Sequence, residues 1–209
     1  SAKSLFNLAS LEKEVEDFNL THQNFKKGLA LMPIAFGISF TNTPMNHARA
    51  LVHIYQDGSV GISTAAVEMG QGVNTKMLHI AAQVFSIENS KVKIETTNTT
   101  RVANTSPSAA SSTADLNGKA LLKACNALLD RLKNVASETL DVSKDNIELK
   151  NEYVYVNGEK SEITWTELIS KTMLKRVALT ENAHYATPII HFDKTKEKGH
   201  PFAYHVYGT

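Results

Sequence analysis

Val67-Glu68-Met69-Gly70-Gln71-Gly72-Val73-Asn74-Thr75-Lys76 decides how this chain is read. A strand-like run ends there, two glycines bracket a glutamine, and an amphipathic helix begins. Backbone N–H groups, a side-chain amide and a helix N-terminus meet at one spot, which suits an oxygen-rich or anionic ligand. A second loop of small residues, Asn104-Thr105-Ser106-Pro107-Ser108-Ala109-Ala110-Ser111-Ser112-Thr113-Ala114-Asp115, also runs straight into a long helix. Together the two loops predict a single buried cofactor held largely by backbone. Taken alone, Gly70 and Gly72 fit a plain corner equally well. A dinucleotide loop would need a third glycine and an acidic residue after the next strand. A phosphate loop would need its lysine beside the last glycine, whereas Lys76 lies inside the helix.

Working outward, Leu51-Val52-His53-Ile54-Tyr55 and Val60-Gly61-Ile62-Ser63 flank Asp57-Gly58, a dipeptide suited to a tight hairpin turn. Val73, Met77, Ile80, Ala81 and Val84 share one face at helical spacing, so residues 72–86 form a helix. Val92-x-Ile94 reads as a strand and residues 97–113 as loop, because Asn, Thr and Ser side chains compete for backbone bonds there. Leu116, Ala120, Leu121, Ala124, Cys125, Leu128, Leu132 and Val135 mark a helix of about six turns. A second hairpin closes at Asn151-Glu152, and Thr164-x-x-Glu167 is a capping box opening a helix over 168–173. Residues 177–187 read as a strand. Residues 4–20 suggest a helix with one apolar stripe. The apolar run 26–40, interrupted by Pro33 and Gly37, reads as a buried strand, with Phe36 and Phe40 as core residues. The fold class is α+β, with helices packed on one face of a largely antiparallel or mixed sheet. We expect one domain over 1–209, with a possible subdomain edge near Ser143.

The chain has 209 residues, 42% of them hydrophobic, and a net charge of +1. That balance argues against a nucleic-acid partner. No apolar run approaches the roughly 20 residues of a membrane span, and no signal-peptide pattern opens the chain. The single cysteine, Cys125, excludes an internal disulfide and fits a reducing, cytoplasmic setting. It sits on the inward face of its helix and reads as a small core hydrophobe. The eight histidines are scattered, without a zinc-type spacing. Glu68 reads as a residue that orders local backbone rather than a base, and Asp115 as a first-turn complement to a helix dipole. The closing Ala203-Tyr204-His205-Val206-Tyr207-Gly208-Thr209 looks like a strand still lacking its partner, so a larger parent protein is expected.

Several motifs stand in one order at compatible spacing. They are Lys27-Gly28-Leu29-Ala30, Phe36-Gly37-Ile38-Ser39-Phe40-Thr41, Asp57-Gly58-Ser59-Val60, Glu68-Met69-Gly70-Gln71-Gly72-x-x-Thr75-Lys76-Met77, and Asn104 to Ser111 with Asp115-Leu116-Asn117-Gly118. As a set they closely resemble the molybdenum-binding part of the xanthine dehydrogenases, which are molybdenum hydroxylases. The likeness is strong over residues 10–140 and weaker beyond.

The resemblance implies a molybdenum–molybdopterin cofactor held by backbone and polar contacts, with no side chain ligating the metal. It implies Met69, Gly70 and Gln71 beside the cofactor, and Ala109 and Ala110 close to molybdenum, with the Ala110 backbone nearest the metal. Ser111 and Thr113 follow as pterin contacts. Phe40 and Thr41 match the pair that contacts a purine, and together with Ser106-Pro107 they favour a purine hydroxylase (hypoxanthine and xanthine to urate) over an aldehyde oxidase. Asn42-Thr43-Pro44-Met45 departs from the family's more apolar segment. The family's glutamate base falls C-terminal to Thr209, and its purine-orienting arginine and glutamate fall N-terminal to Ser1, so no catalytic residue is assigned within this chain. The implied partners are the remainder of the molybdenum subunit and a 2Fe-2S/FAD subunit or domain, those cofactors lying outside this chain. An alternative is a non-catalytic or degenerate small-ligand-binding module of the same fold.

Overall fold

The structure is a computed structural model and describes residues 2–109 and 112–209. In chain order it contains α1 (Ala2–Leu5), α2 (Leu8–Thr21), β1 (Ile34–Ile38), β2 (His47–Ile54), β3 (Val60–Thr64), α3 (Val73–Phe85), β4 (Val92–Ile94) and α4 (Ser112–Leu140). There follow β5 (Ile147–Lys150), β6 (Tyr153–Val156), β7 (Glu159–Thr164), α5 (Trp165–Leu174), β8 (Thr180–Ala186), β9 (His191–Asp193), β10 (Lys198–His200) and β11 (Tyr204–Gly208). Two compact units result, one of Ile38–Ala203 and one of Ser1–Gly37 with Tyr204–Thr209.

The larger unit is built on a mixed sheet of order β4-β3-β2-β8. β2 runs antiparallel to β3 and to β8, and β3 runs parallel to β4. Along β2 the residues alternate, with Ala48, Ala50, Val52 and Ile54 buried. That period of two turns one face of the strand to the core. Helices α3 and α4 cover this face, and the apolar stripe of α4 (Leu121, Ala124, Leu128, Leu132) is fully buried. Cys125 is one of that stripe, as its spacing predicts, and burial pushes its thiol up to about 12. Gly118 permits the close α3–α4 approach: a Cβ there would meet Ile80 Cδ1 at 3.0 Å. α4 runs 29 residues, longer than the apolar stripe alone implies.

The turn between β2 and β3 is Asp57-Gly58, with Gly58 at φ +84°. Asp57 Oδ1 accepts from the Ser59 hydroxyl (2.6 Å) and backbone N–H (2.9 Å). The buried Trp165 donates its indole N–H to the Gly58 carbonyl at 2.7 Å, tying the start of α5 to this turn. A second, three-stranded sheet has the order β5-β6-β7. Its first hairpin turns at Asn151 and Glu152, both with positive φ (48° and 64°), as a tight two-residue turn requires. β7, which follows a further turn at Asn157-Gly158, is an addition to the elements read from sequence. The Thr164–Glu167 capping box is present, with Thr164 as the N-cap, so α5 starts at Trp165, three residues before the start read from the sequence. Ser143 lies between α4 and β5, within the larger unit.

In the smaller unit, α1 and α2 are separated at Phe6-Asn7, where Asn7 is left-handed (φ 47°). β1 pairs with β11. The run 26–40 departs from the buried strand expected of it: regular structure starts only at Ile34, and only Ile38 of β1 is buried. Phe36 is 51% exposed and is not a core residue, whereas Phe40 packs against the core. The apolar residues are there, but Leu29, Leu31, Met32, Ile34 and Phe36 remain exposed among the described residues.

Candidate functional site

The antiparallel β2–β3 pairing sets the site's place. It matches Ala50 with Thr64, so the start of β2 and the end of β3 lie at the same end of the sheet. The first loop leaves β3 at this end. Phe40 and Asn46 precede β2 at the same end.

In the first loop the Glu68 carboxylate occupies the cradle that the sequence offers to an anion. Its Oε1 accepts from the Gly70 N–H (2.8 Å) and the Gly72 N–H (3.0 Å), and its Oε2 from the Asn74 N–H (3.0 Å). The Asn74 bond, then the Gly72 bond, holds this exposed carboxyl below the usual glutamate range. Glu68 thus orders backbone, as read from the sequence, but it also consumes the N–H groups expected to be free for a ligand. The Gln71 amide is engaged too: its Oε1 accepts from Met69 N–H (2.6 Å) and its Nε2 donates to the Val67 carbonyl (2.8 Å). These bonds fold the loop into a compact knuckle whose outer surface is Met69, Gly70 and Gln71. Met69 is 66% exposed. Gly70 has φ +97°, and a Cβ there would meet nothing within 4 Å.

The second loop is pinned to the first. The Ser108 hydroxyl accepts from the Val67 N–H (2.8 Å) and donates to the Ala65 carbonyl (3.4 Å). Two positions earlier the Ser106 N–H donates to the His47 carbonyl (3.4 Å), at the start of β2. Thr97 reinforces the corner through its hydroxyl, which reaches the Thr64 (3.3 Å) and Ala66 (3.2 Å) carbonyls. Beside it lies a cavity of about 290 Å³, lined by Ala66, Val67, Glu68, Asn74 and the chain leaving β4. Ala109 is half-buried. Ala110 and Ser111, both assigned from the sequence, lie outside the described residues.

Thr113 is buried at the start of α4, and its Oγ1 has no hydrogen-bond partner among the described residues. Asn117, one turn on, donates to the Thr113 carbonyl (2.9 Å), while its own Oδ1 is also without a partner there. Orphaned buried polar atoms cost stability unless a ligand or water completes them. They mark this helix start as a polar seat.

Phe40 is half-buried and Thr41 exposed. A residue that sequence reading left unassigned holds Phe40 in place. Asn46, 2% exposed, accepts from the Phe40 N–H through Oδ1 (2.7 Å) and donates to the Phe40 carbonyl through Nδ2 (2.7 Å). The sequence signal was faint: an Asn six residues after an aromatic, just ahead of a strand. Through Asn46–His47 and the Ser106 bond, the Phe40 segment and the second loop meet at the same strand start.

Among the described residues no group of three or more His, Cys, Asp or Glu side chains is placed to hold a metal ion. No helix there is long and apolar enough to cross a membrane. What the arrangement offers is a backbone-rich corner with an exposed knuckle, an orphaned hydroxyl and a braced aromatic ring.

Comparison with known proteins bears on the same residues. The family described as molybdopterin cofactor-binding domain matches residues 1–209. Xanthine dehydrogenase 1 of Arabidopsis thaliana is 38% identical over 202 residues, 97% of this chain and 13% of that protein. Xanthine dehydrogenase of Emericella nidulans is 41% identical over 196 residues, again 13% of that protein. The chain therefore spans about one-eighth of the length of these relatives. Among solved structures, quinoline 2-oxidoreductase from Pseudomonas putida 86 superposes with a TM-score of 0.65 at 16% identity, covering 94% of this chain and 28% of that one. A Cu,Mo-CO dehydrogenase does so with a TM-score of 0.66 at 18% identity, covering 90% and 26%. At those identities the structures establish the fold alone.

Proposed function

The chain belongs to the molybdopterin cofactor-binding domain family of the xanthine dehydrogenase-like molybdenum hydroxylases, and we propose that it forms one wall of a molybdopterin and purine site. The observation that supports this reading is the bond between the two loops: Ser108 on Val67 ties the loop that bears Met69, Gly70 and Gln71 to the loop that precedes α4 in sequence. The residues fit the group. Open space at Gly70 admits a bulky ligand against backbone, and the orphaned Thr113 hydroxyl supplies a polar contact.

In this reading Met69, Gly70 and Gln71 contact the cofactor from one loop, and Ala109, Ala110, Ser111 and Thr113 from the other. For Ala110 and Ser111, which lie outside the described residues, the assignment rests on the family resemblance alone, which would set the Ala110 backbone nearest the metal. Bound molybdopterin would supply two-electron redox chemistry for hydroxylating an electron-poor ring carbon. The chain's own task is to seat and orient. Phe40 offers a flat face for stacking, held at both backbone atoms by Asn46. Thr41 offers a hydroxyl to a ring substituent. Glu68 is already committed to three N–H groups and is no base. Proton transfer, the 2Fe-2S and FAD electron path and the remaining cofactor contacts come from other parts of the protein, and a cytoplasmic setting belongs to the same proposal.

The test is metal analysis and purine oxidation on the full-length gene product. We expect bound molybdenum and urate formation from xanthine. Phe40→Ala should raise KM for purines about tenfold, from the loss of an aromatic contact, with little change for small aldehydes. Equal effects on both substrates would remove the stacking role. Full-length protein without molybdenum would favour the non-catalytic module instead.

A further inference from the structure

The face of the β4-β3-β2-β8 sheet turned away from α3 and α4 carries a group of cationic side chains without a matching anion. Alternation along β2 sends His47 and Arg49 to this face, opposite the buried Ala48 and Ala50. The register sets His184 of β8 directly across from Arg49. The His47 and His184 rings lie 5.5 Å apart between centroids. Ser63 of β3 stands across from Leu51, diagonal to Arg49 on the same face. Ser63 is 2% exposed. His47 and Arg49 are half-buried, and the exposed His184 opens the group to solvent.

Polar atoms here lack partners. Among the described residues nothing hydrogen-bonds to the Arg49 Nε, the His47 Nδ1 or the Ser63 Oγ, all buried. Glu95, just past β4, pairs with Lys93 (3.3 Å) and Arg101 (3.6 Å) rather than with Arg49. A half-buried guanidinium without a counter-charge costs stability. Lys123 brings a further cation, its Nζ donating to the His184 carbonyl at 2.8 Å. Partial desolvation against the sheet, then the charges of His47, Arg49 and Lys123, hold His184 below the ordinary histidine value. Two histidines this close would suit a metal ion by themselves, but Arg49 and Lys123 repel one.

We propose that this face binds a small tetrahedral oxyanion, of the phosphate or sulfate class, between the Arg49 guanidinium, the Ser63 hydroxyl and the His47 and His184 rings. The guanidinium fork donates two parallel bonds, and the hydroxyl and the rings donate one each. Donors converging from three strands match an anion with four oxygens better than a planar carboxylate with two. The proposal needs neither molybdenum nor a purine, so it stands or falls apart from the cofactor reading.

Sulfate is the probe, because it stays a dianion across the range in which histidine titrates, about pH 5 to 8. Chloride at matched ionic strength is the reference and removes general screening. In NMR titrations of the 209-residue chain, the His47 and His184 ring signals and the Arg49 Nε–H should shift together and saturate, with a Kd of about 1 mM. A bound dianion favours protonated His184, so binding takes up a proton and should be about tenfold tighter at pH 6 than at pH 8. Arg49→Met keeps the apolar stem and removes the charge. It should weaken binding about tenfold or more, and without sulfate it should melt no lower than the parent, because no pair is broken. Ser63→Ala should fold normally and weaken binding about threefold or more. Shifts that fail to saturate, or unchanged binding by Arg49→Met, would overturn the proposal. A clear loss of melting temperature in Arg49→Met without sulfate would do so too, because the guanidinium would then already have a partner. In the full-length gene product, sulfate but not chloride should slow diethyl pyrocarbonate modification of His184, read by peptide mass spectrometry. If sulfate protects His184 only in the 209-residue chain, or if His184 of the longer protein does not react at all, another part of that protein holds the place and the proposal fails.

Discussion

Replacing Asn46 by alanine removes both bonds to Phe40 and leaves a partly buried N–H and C=O without partners. Each such bond contributes about 1 kcal/mol net, and each orphaned group adds a desolvation cost, so the loss is about 2–4 kcal/mol. For a domain of this size that lowers the melting temperature by about 4–16 °C. Asn46→Asp separates the two bonds. Its carboxylate still accepts from the Phe40 N–H but faces the Phe40 carbonyl without a proton to donate. At neutral pH it should destabilise at least as much as alanine. In acid, once protonated, it regains a donor and should recover part of the loss relative to Asn46→Ala. Thermal melts of the three chains across pH give the answer directly. In the full-length protein, both variants should raise the purine KM in the direction of Phe40→Ala. If Asn46→Ala melts within about 1 °C of the parent, the clamp contributes nothing, and Phe40 is placed by the core alone.

Glu68 titrates below the usual glutamate range because it accepts from Asn74, Gly72 and Gly70. Its folded pKa is depressed, so its ordering of the loop is complete above the unfolded pKa and is lost as pH falls through the folded value. The amide NMR signals of Gly70, Gly72 and Asn74 should shift together in acid, and Glu68→Gln should abolish that shared transition. Cys125 behaves in the opposite sense: its thiol is pushed from 9.0 up to about 12 by burial, so its contribution is full below pH 9 and fades as pH rises towards 12. At pH 8 iodoacetamide should alkylate it only after denaturation, and rapid native labelling would contradict its burial. Gly118→Leu must displace Ile80 and Met77 and should cost about 1–3 kcal/mol. Gly118→Ala should be near neutral, since a gain of about 1 kcal/mol in helix propensity offsets moving the flexible end of Ile80; chemical denaturation compares the two.

Which stretches fold locally was legible in the residues. Asp57-Gly58 and Asn151-Glu152 turn hairpins because the backbone they need is set within two positions. Thr164 and Glu167 cap a helix because both bonds close within three residues. The apolar spacing of α3 and α4 names their buried faces for the same reason, and the family's motif order could be read without coordinates. The site's wiring was not legible. That Ser108 bonds Val67, 41 positions away, depends on where β3 and the second loop end in space. Glu68 was read as ordering backbone, but that it fills the N–H cradle of its own loop required three dihedral choices no pattern specifies. The run 26–40 shows the limit most plainly. Its apolar residues were visible, but whether they are buried depends on which surface arrives to cover them. Alternation and spacing are properties of neighbouring residues, whereas burial and long-range hydrogen bonds belong to the partner across the gap, and only tertiary structure supplies that partner.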